Sequence, residues 1–134
     1  MSADEVVVFV SRGDEWLVLR RSERQGGFWH TVAGGVEENE ENGAAAAREL
    51  HEEVGLHAFP RELGIEFAYT PEPWEPRFRP GAAAYLVACF HVEAPNGWEP
   101  TLDWEHDDYR WCSPRDAVEL LRWPEPKRIL EEIA

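Results

Sequence analysis

Three glutamates and an arginine stand close together in the stretch Arg48-Glu49-Leu50-His51-Glu52-Glu53. They fall in a segment, residues 43–54, that is predicted to be a helix stopped by Gly55. At about 100° per residue, Arg48, Glu49, Glu52 and Glu53 lie within an arc of roughly 140°. Ala46, Ala47, Leu50 and Val54 occupy roughly the next 100°, a stripe wide enough to dock on a sheet. Carboxylates at this spacing repel one another, and a shared divalent cation removes the repulsion. Mg²⁺ suits such a face because it prefers hard oxygen ligands, typically carboxylates together with substrate phosphates. Arg48 can orient one carboxylate through a bidentate pair. Ala45 is expected on the same face, where its small side chain leaves room for a phosphate. Most helices bearing three glutamates simply present a solvated face, so the helix alone does not decide the matter.

The wider pattern does. From Gly34 to Leu56 the chain reads GGVEENEENGAAAARELHEEVGL. Gly34, Glu40, Arg48-Glu49-Leu50, Glu52-Glu53, Gly55 and Leu56 stand at the fixed positions of the Nudix signature, and the chain resembles the Nudix (MutT-like) hydrolases. The resemblance implies an α/β (α+β) fold, a mixed β-sheet between α-helices, with the signature forming a loop–helix–loop. It implies a Mg²⁺-dependent pyrophosphohydrolase, with Mn²⁺ able to substitute. Glu49, Glu52 and Glu53 correspond to metal ligands, joined by the Gly34 carbonyl. Arg48 corresponds to the residue that orients a glutamate, and Glu40 to a loop partner that holds the signature together. Metal ions there neutralise diphosphate charge and lower the pKa of water. Glu53, Glu52 and a downstream loop glutamate are the candidate bases.

A second resemblance lies in FWHTVAGGVE, Arg79-Pro80-Gly81, and Trp104-Glu105-His106 with Tyr109-x-Trp111. These are similar to the branch holding dATP pyrophosphohydrolases and dihydroneopterin triphosphate pyrophosphatase. It implies that Glu105 is a further metal ligand and catalytic residue. The competing reading is a plain surface loop among Asp103, Asp107 and Asp108. The implied reaction converts a nucleoside (deoxy)triphosphate, dATP-like, to monophosphate and pyrophosphate. Dihydroneopterin triphosphate, dinucleoside polyphosphates and nucleotide sugars are the alternative small-molecule substrates. A non-catalytic nucleotide-sensing domain on the same fold is disfavoured, because every carboxylate of the signature is present.

Substrate contacts are sought among cations and aromatics near the signature. Arg20 and Arg21 follow a strand and point to opposite faces, so at most one meets substrate, and Arg20 is the candidate. Trp29 can stack on a base or pack in the core. Trp74, Arg77, Phe78 and Arg79 interleave charge with aromatics on one long loop, residues 70–81, able to cover a ring and hold a phosphate tail. His51 and His106 are expected to be exposed.

The remaining elements must position these groups. Residues 6–10 and 16–19 read as a hairpin, residues 28–33 as a short extended piece, and residues 65–69 as a strand. Residues 83–92 read as a long central strand and 109–112 as another. Ser113, Pro114 and Asp116 mark a helix start, and a last helix is expected after Pro124 and Pro126. The 134 residues suit one domain, 1–134. A net charge of −14 argues against a nucleic-acid polymer as partner, although not against a small phosphorylated substrate. Seven Trp residues imply both core and pocket positions. Cys89 and Cys112 sit in apolar runs and are expected as buried free thiols. No segment has the apolar length of a membrane span or the pattern of a signal peptide, so a cytoplasmic location is expected. Nudix proteins are often dimers, and a homodimer stays open here.

Overall fold

The computed structural model describes residues 2–75, 77–81 and 83–134. Among them, seven strands form one mixed sheet. The strands are β1 (Glu5–Arg12), β2 (Glu15–Arg21), β3 (Trp29–His30), β4 (Val32–Gly35), β5 (Arg61–Tyr69), β6 (Tyr85–Glu93) and β7 (His106–Cys112). The helices are α1 (Asn42–Val54), α2 (Pro114–Leu120) and α3 (Pro124–Ile133). β1 runs parallel to β6 from Glu5↔Val87 to Ser11↔Glu93, and β6 is antiparallel to β5. On its other edge β1 pairs first with β4 and then, past it, with β2, which also holds β3 and β7.

Helices cover both faces of the sheet, which explains the unbroken apolar run of β1. Val6, Val8 and Val10 pack with Leu17, Leu19 and Val32 against Ala45, Ala46, Leu50 and Val54 of α1. Val7 and Phe9 pack on the opposite face with Trp16, Val18 and Cys89 against Ala117 of α2, Leu121 at its C-terminal cap, and Ile129 and Leu130 of α3. The period of two along β1 thus feeds two core layers. Both cysteines are free and buried, and burial pushes the Cys89 thiol up to about 12.

Several expected boundaries shift. The extended piece 28–33 is two strands, broken at Thr31, whose hydroxyl donates to the Val8 carbonyl at 2.6 Å. β5 begins at Arg61 rather than residue 65, and an irregularity between Glu62 and Glu66 lets it follow β6. β7 begins at His106 rather than 109. α3 starts at Pro124 and contains Pro126. First-turn prolines are tolerated because their missing N–H groups lack intrahelical partners anyway. Ser113 caps α2 as expected, its Oγ accepting from the Asp116 N–H. Within the expected loop 70–81 the described residues form turns, and Pro76 lies outside the described residues. No helix among the described residues is long and apolar enough to cross a membrane.

Leu50 is fully buried where α1 meets β1 and β4, so Leu50→Ala is expected to cost about 2–5 kcal/mol, measured by urea unfolding. A loss under about 1 kcal/mol would mean that α1 is not anchored through this stripe.

Candidate active site

The loop between β4 and α1 is fastened to α1 by one guanidinium. Arg48 Nε and Nη2 each donate to a different oxygen of Glu40 at 2.9 Å. Nη2 also donates to the Gly35 carbonyl at 2.8 Å, and Nη1 to Glu49 Oε1 at 2.7 Å. A longer contact of 3.4 Å reaches Glu52. Glu40 in turn accepts from the Glu37 N–H. The paired arginine holds the Glu40 carboxyl below the usual carboxylate range.

The three helix carboxylates separate into two environments. Glu49 and Glu53 are buried, Glu53 to 2% exposure, while the Glu52 side chain is 55% exposed. Burial first, and then Glu49 beside it, holds the Glu53 carboxyl well above its ordinary range. Glu53 Oε1 accepts a long 3.4 Å hydrogen bond from the Ala33 N–H. Gly34 completes this cradle. A β-carbon built on it would lie 2.0 Å from the Glu49 carboxyl carbon, so only glycine lets that carboxylate rest against the β4 backbone. Ala45, expected to leave space on this face, is instead fully buried in the core, and Ala47 is only half-buried. The helix is rotated slightly from the expected stripe.

Among the described residues no three His, Cys, Asp or Glu side chains already converge at ligating geometry. The donors nevertheless suit a divalent cation. Two buried carboxylates against consecutive residues of β4, Glu53 at Ala33 and Glu49 at Gly34, form a hard-oxygen set whose mutual repulsion is costly unless neutralised. Glu49, Glu53 and the Gly34 backbone are the groups that would hold such an ion, with Glu52 one turn outward.

Glu105 stands nearby but points to an arginine: its Oε2 is 3.2 Å from Arg21 Nη1. The next residue, His106, was expected to be exposed and is buried instead, because β7 starts there. Its Nδ1 pairs with Asp103 Oδ1 at 2.8 Å, and its Nε2 lies 3.7 Å from Glu53 Oε1. Burial is the main cause that pushes this histidine's pKa down. His51 is exposed, as expected.

A cavity of about 330 Å³ lies on the α2–α3 face of the sheet. β1 supplies Glu5 and Val7, β2 supplies Arg21, and β5 supplies Phe67 and Tyr69. Phe28, His30, Arg77 and the start of α3 at Trp123 complete it. Arg21 and Arg77, both lining this cavity, are near enough for their charges to act on Glu53. Arg77 Nη1 is 2.9 Å from Glu5 Oε2, and the Tyr69 hydroxyl donates to Glu5 Oε1 at 2.6 Å. His30 is held well below the usual histidine range by burial and then by Arg21 and Arg77.

The candidate substrate residues are placed unevenly around this cavity. Arg20 is outside it, paired with Asp107 and Glu23. Its neighbour Arg21 points in, at a register slip of β2 against β7. Trp29 lies under the Arg110 guanidinium and packs on the core rather than lining the cavity. Trp74 is half-exposed and stacks on Trp123 at 6.0 Å, with its edge toward Phe28. Phe78 and Arg79 line a neighbouring depression that shares Glu5 and Arg77 and reaches Gly35, and Arg79 donates to the Tyr85 hydroxyl. Glu5, Phe28, His30, Tyr69 and Trp123 were not singled out from the sequence. Phe28 and His30 lie in the segment FWHTVAGGVE that carries the second resemblance, and Glu5 carries a local signal as a carboxylate opening a run of apolar strand residues.

A family profile, the NUDIX domain, matches residues 1–133. The chain is 31% identical over 128 residues to the dihydroneopterin triphosphate diphosphatase of Haemophilus influenzae, covering 87% of this chain and 77% of that protein. It is 34% identical over 126 residues to a protein named octanoyltransferase from Myxococcus xanthus, covering 90% of this chain but only 33% of that longer protein. The fold matches that of the E. coli dihydroneopterin triphosphate pyrophosphohydrolase with a TM-score of 0.86, at 23% identity over 96% of this chain and 92% of that one.

Because a side chain at position 34 collides with Glu49, Gly34→Ala is expected to weaken Mn²⁺ binding by about 10–100-fold, read by electron paramagnetic resonance, while the far-ultraviolet circular dichroism is unchanged. Unaltered Mn²⁺ affinity would remove the Gly34–Glu49 cradle from the metal site.

Proposed function

The chain belongs to the NUDIX family of hydrolases, and on that premise we propose that it is a Mg²⁺-dependent pyrophosphohydrolase acting on a triphosphate that carries an aromatic heterocycle. The observation that supports this reading most is the buried pair Glu49 and Glu53, Glu49 against Gly34 and Glu53 on the Ala33 N–H, with the cations Arg21 and Arg77 of the aromatic cavity acting on Glu53. The products are the monophosphate and pyrophosphate.

Nudix hydrolases generally use divalent metals such as Mg²⁺. Glu49, Glu53 and the Gly34 backbone would hold such an ion, with Glu52 outside them, and it would supply charge neutralisation at the diphosphate and a more acidic water. The chain's own residues do the rest. Arg48 fixes Glu49 against the loop, so the carboxylate is in place before substrate arrives. Arg21 and Arg77 offset the negative charge of Glu53. Glu52 and Glu53 are the candidate acceptors for the proton of the attacking water, and Glu105, half-buried beside Arg21, is the candidate outer ligand.

Two head groups are in contention. The dATP-like reading rests on the segments around Trp29, Arg79 and Glu105. Dihydroneopterin triphosphate rests on the same segments and also on the activity for which the Haemophilus influenzae relative is named. Either ring suits the aromatic residues Phe28 and Trp123 that line the cavity, with Trp74 packed behind them.

The reading is tested with the four dNTPs, dihydroneopterin triphosphate, diadenosine polyphosphates and ADP-ribose in the presence of Mg²⁺ or Mn²⁺. Pyrophosphate release from at least one triphosphate is expected, and Glu53→Gln should lower that turnover about 10²–10⁴-fold without changing the melting profile of the fold. The absence of turnover of every diphosphate-containing compound would refute the assignment. Near-normal activity of Glu53→Gln would take Glu53 out of the cluster.

A further inference from the structure

The cavity has a polar floor that diphosphate cleavage does not use. Glu5 is 4% exposed, and each of its oxygens has one partner, the Tyr69 hydroxyl or Arg77. A carboxylate offers about four acceptor directions and donates nothing, so one acceptor direction per oxygen remains. The walls around it are apolar, formed by Val7, Phe28, Phe67, Trp123 and Pro126. Two further groups lining the same cavity, Arg21 Nε and His30 Nδ1, are buried without a hydrogen-bond partner among the described residues. Buried polar atoms are normally paired, so these two atoms call for a ligand that supplies partners. Arg21 Nε can only donate.

The charge distribution sets the direction of the ligand. Glu5, Glu72, Glu75 and Glu125 line this cavity with Arg21 and Arg77; Arg77 is taken up by Glu5, so carboxylates outnumber cations there and disfavour a phosphate tail. The tail therefore points out of the cavity toward the Glu49–Glu53 pair, where a divalent cation would receive it, and the cavity takes the head group.

We propose that Glu5 selects a head group with an amino-lactam edge, in which a ring N–H and an exocyclic amino group stand side by side, as they do in guanine and in pterins. This rests on the pyrophosphohydrolase reading above and names its substrate class. The two adjacent donors meet the two carboxylate oxygens, while the lactam carbonyl accepts from the orphan donor at Arg21. Adenine presents a ring nitrogen lone pair where the second donor should be, and against a carboxylate that lone pair is repelled. The same group thus attracts one edge and rejects the other. Hypoxanthine keeps the lactam and lacks only the amino group, so it isolates a single hydrogen bond.

The test is calorimetric binding of dGMP, dIMP, dAMP and dihydroneopterin monophosphate to the wild type and to Glu5→Gln, followed by kcat/KM for the matching triphosphates with Mg²⁺. The wild type is expected to bind dGMP or the pterin monophosphate about tenfold more tightly than dIMP, the value of one hydrogen bond to a charged acceptor, and dAMP more weakly still. In Glu5→Gln the ratio of dGMP to dIMP falls toward one. Equal wild-type binding of dGMP, dIMP and dAMP overturns the proposal, whether or not the variant folds. So does a Glu5→Gln protein that weakens all ligands alike, since that is the signature of Glu5 merely holding Arg77. The dGMP and pterin arms decide which source supplies the edge. Selective binding without turnover of any triphosphate would leave the edge recognition standing and remove the hydrolase reading alone.

Discussion

The Arg48 guanidinium is the fastening on which the site depends. It spans the two oxygens of Glu40, the Gly35 carbonyl and Glu49, so one side chain joins the loop, the end of β4 and the helix. A single exposed ion pair is worth little. This one is about three-quarters buried and makes bidentate contact, and networks of that kind are the ones that fix geometry. Lysine at position 48 would keep the charge but lose the fork that grips Glu40 while still reaching Glu49.

What the fastening holds in place is unfavourable by itself. Glu49 and Glu53 are withdrawn from water next to each other, and burial raises the proton affinity of Glu53. Such an arrangement persists only because the surrounding structure over-determines it. The apolar stripe of α1 is locked into the β1 and β4 core, and Gly34 has no side chain to push Glu49 away. The α1 core supplies the stability, and the carboxylate pair supplies a negative site that a divalent cation relieves. Function is thus attached to a face of the helix that contributes little to holding the fold together.

The legible and illegible parts of this architecture divide by distance along the chain. Glu40, Arg48, Glu49 and Glu53 lie within one loop and one helix, so their spacing carries their geometry, and the signature could be read directly. The cavity is different. Glu5, Arg21, His30, Tyr69 and Trp123 come from separate elements brought together by sheet pairing, and no local spacing records that. Arg20 and Arg21 show the limit clearly. Alternation puts them on opposite faces, but which one faces inward depends on a register slip against β7. His106 is similar, since three additional residues of strand turn an expected surface histidine into a buried neighbour of Glu53.

The central claim is that the Gly34 backbone, Glu49 and Glu53 together form a divalent-cation site. Anomalous scattering from crystals grown with Mn²⁺ tests it most directly. The account predicts a Mn²⁺ peak bounded by the Gly34 carbonyl and the Glu49 and Glu53 carboxylates. A saturated Mn²⁺ site elsewhere in the molecule, with Glu49 and Glu53 still hydrogen-bonded only to Arg48 and the β4 backbone, would contradict it.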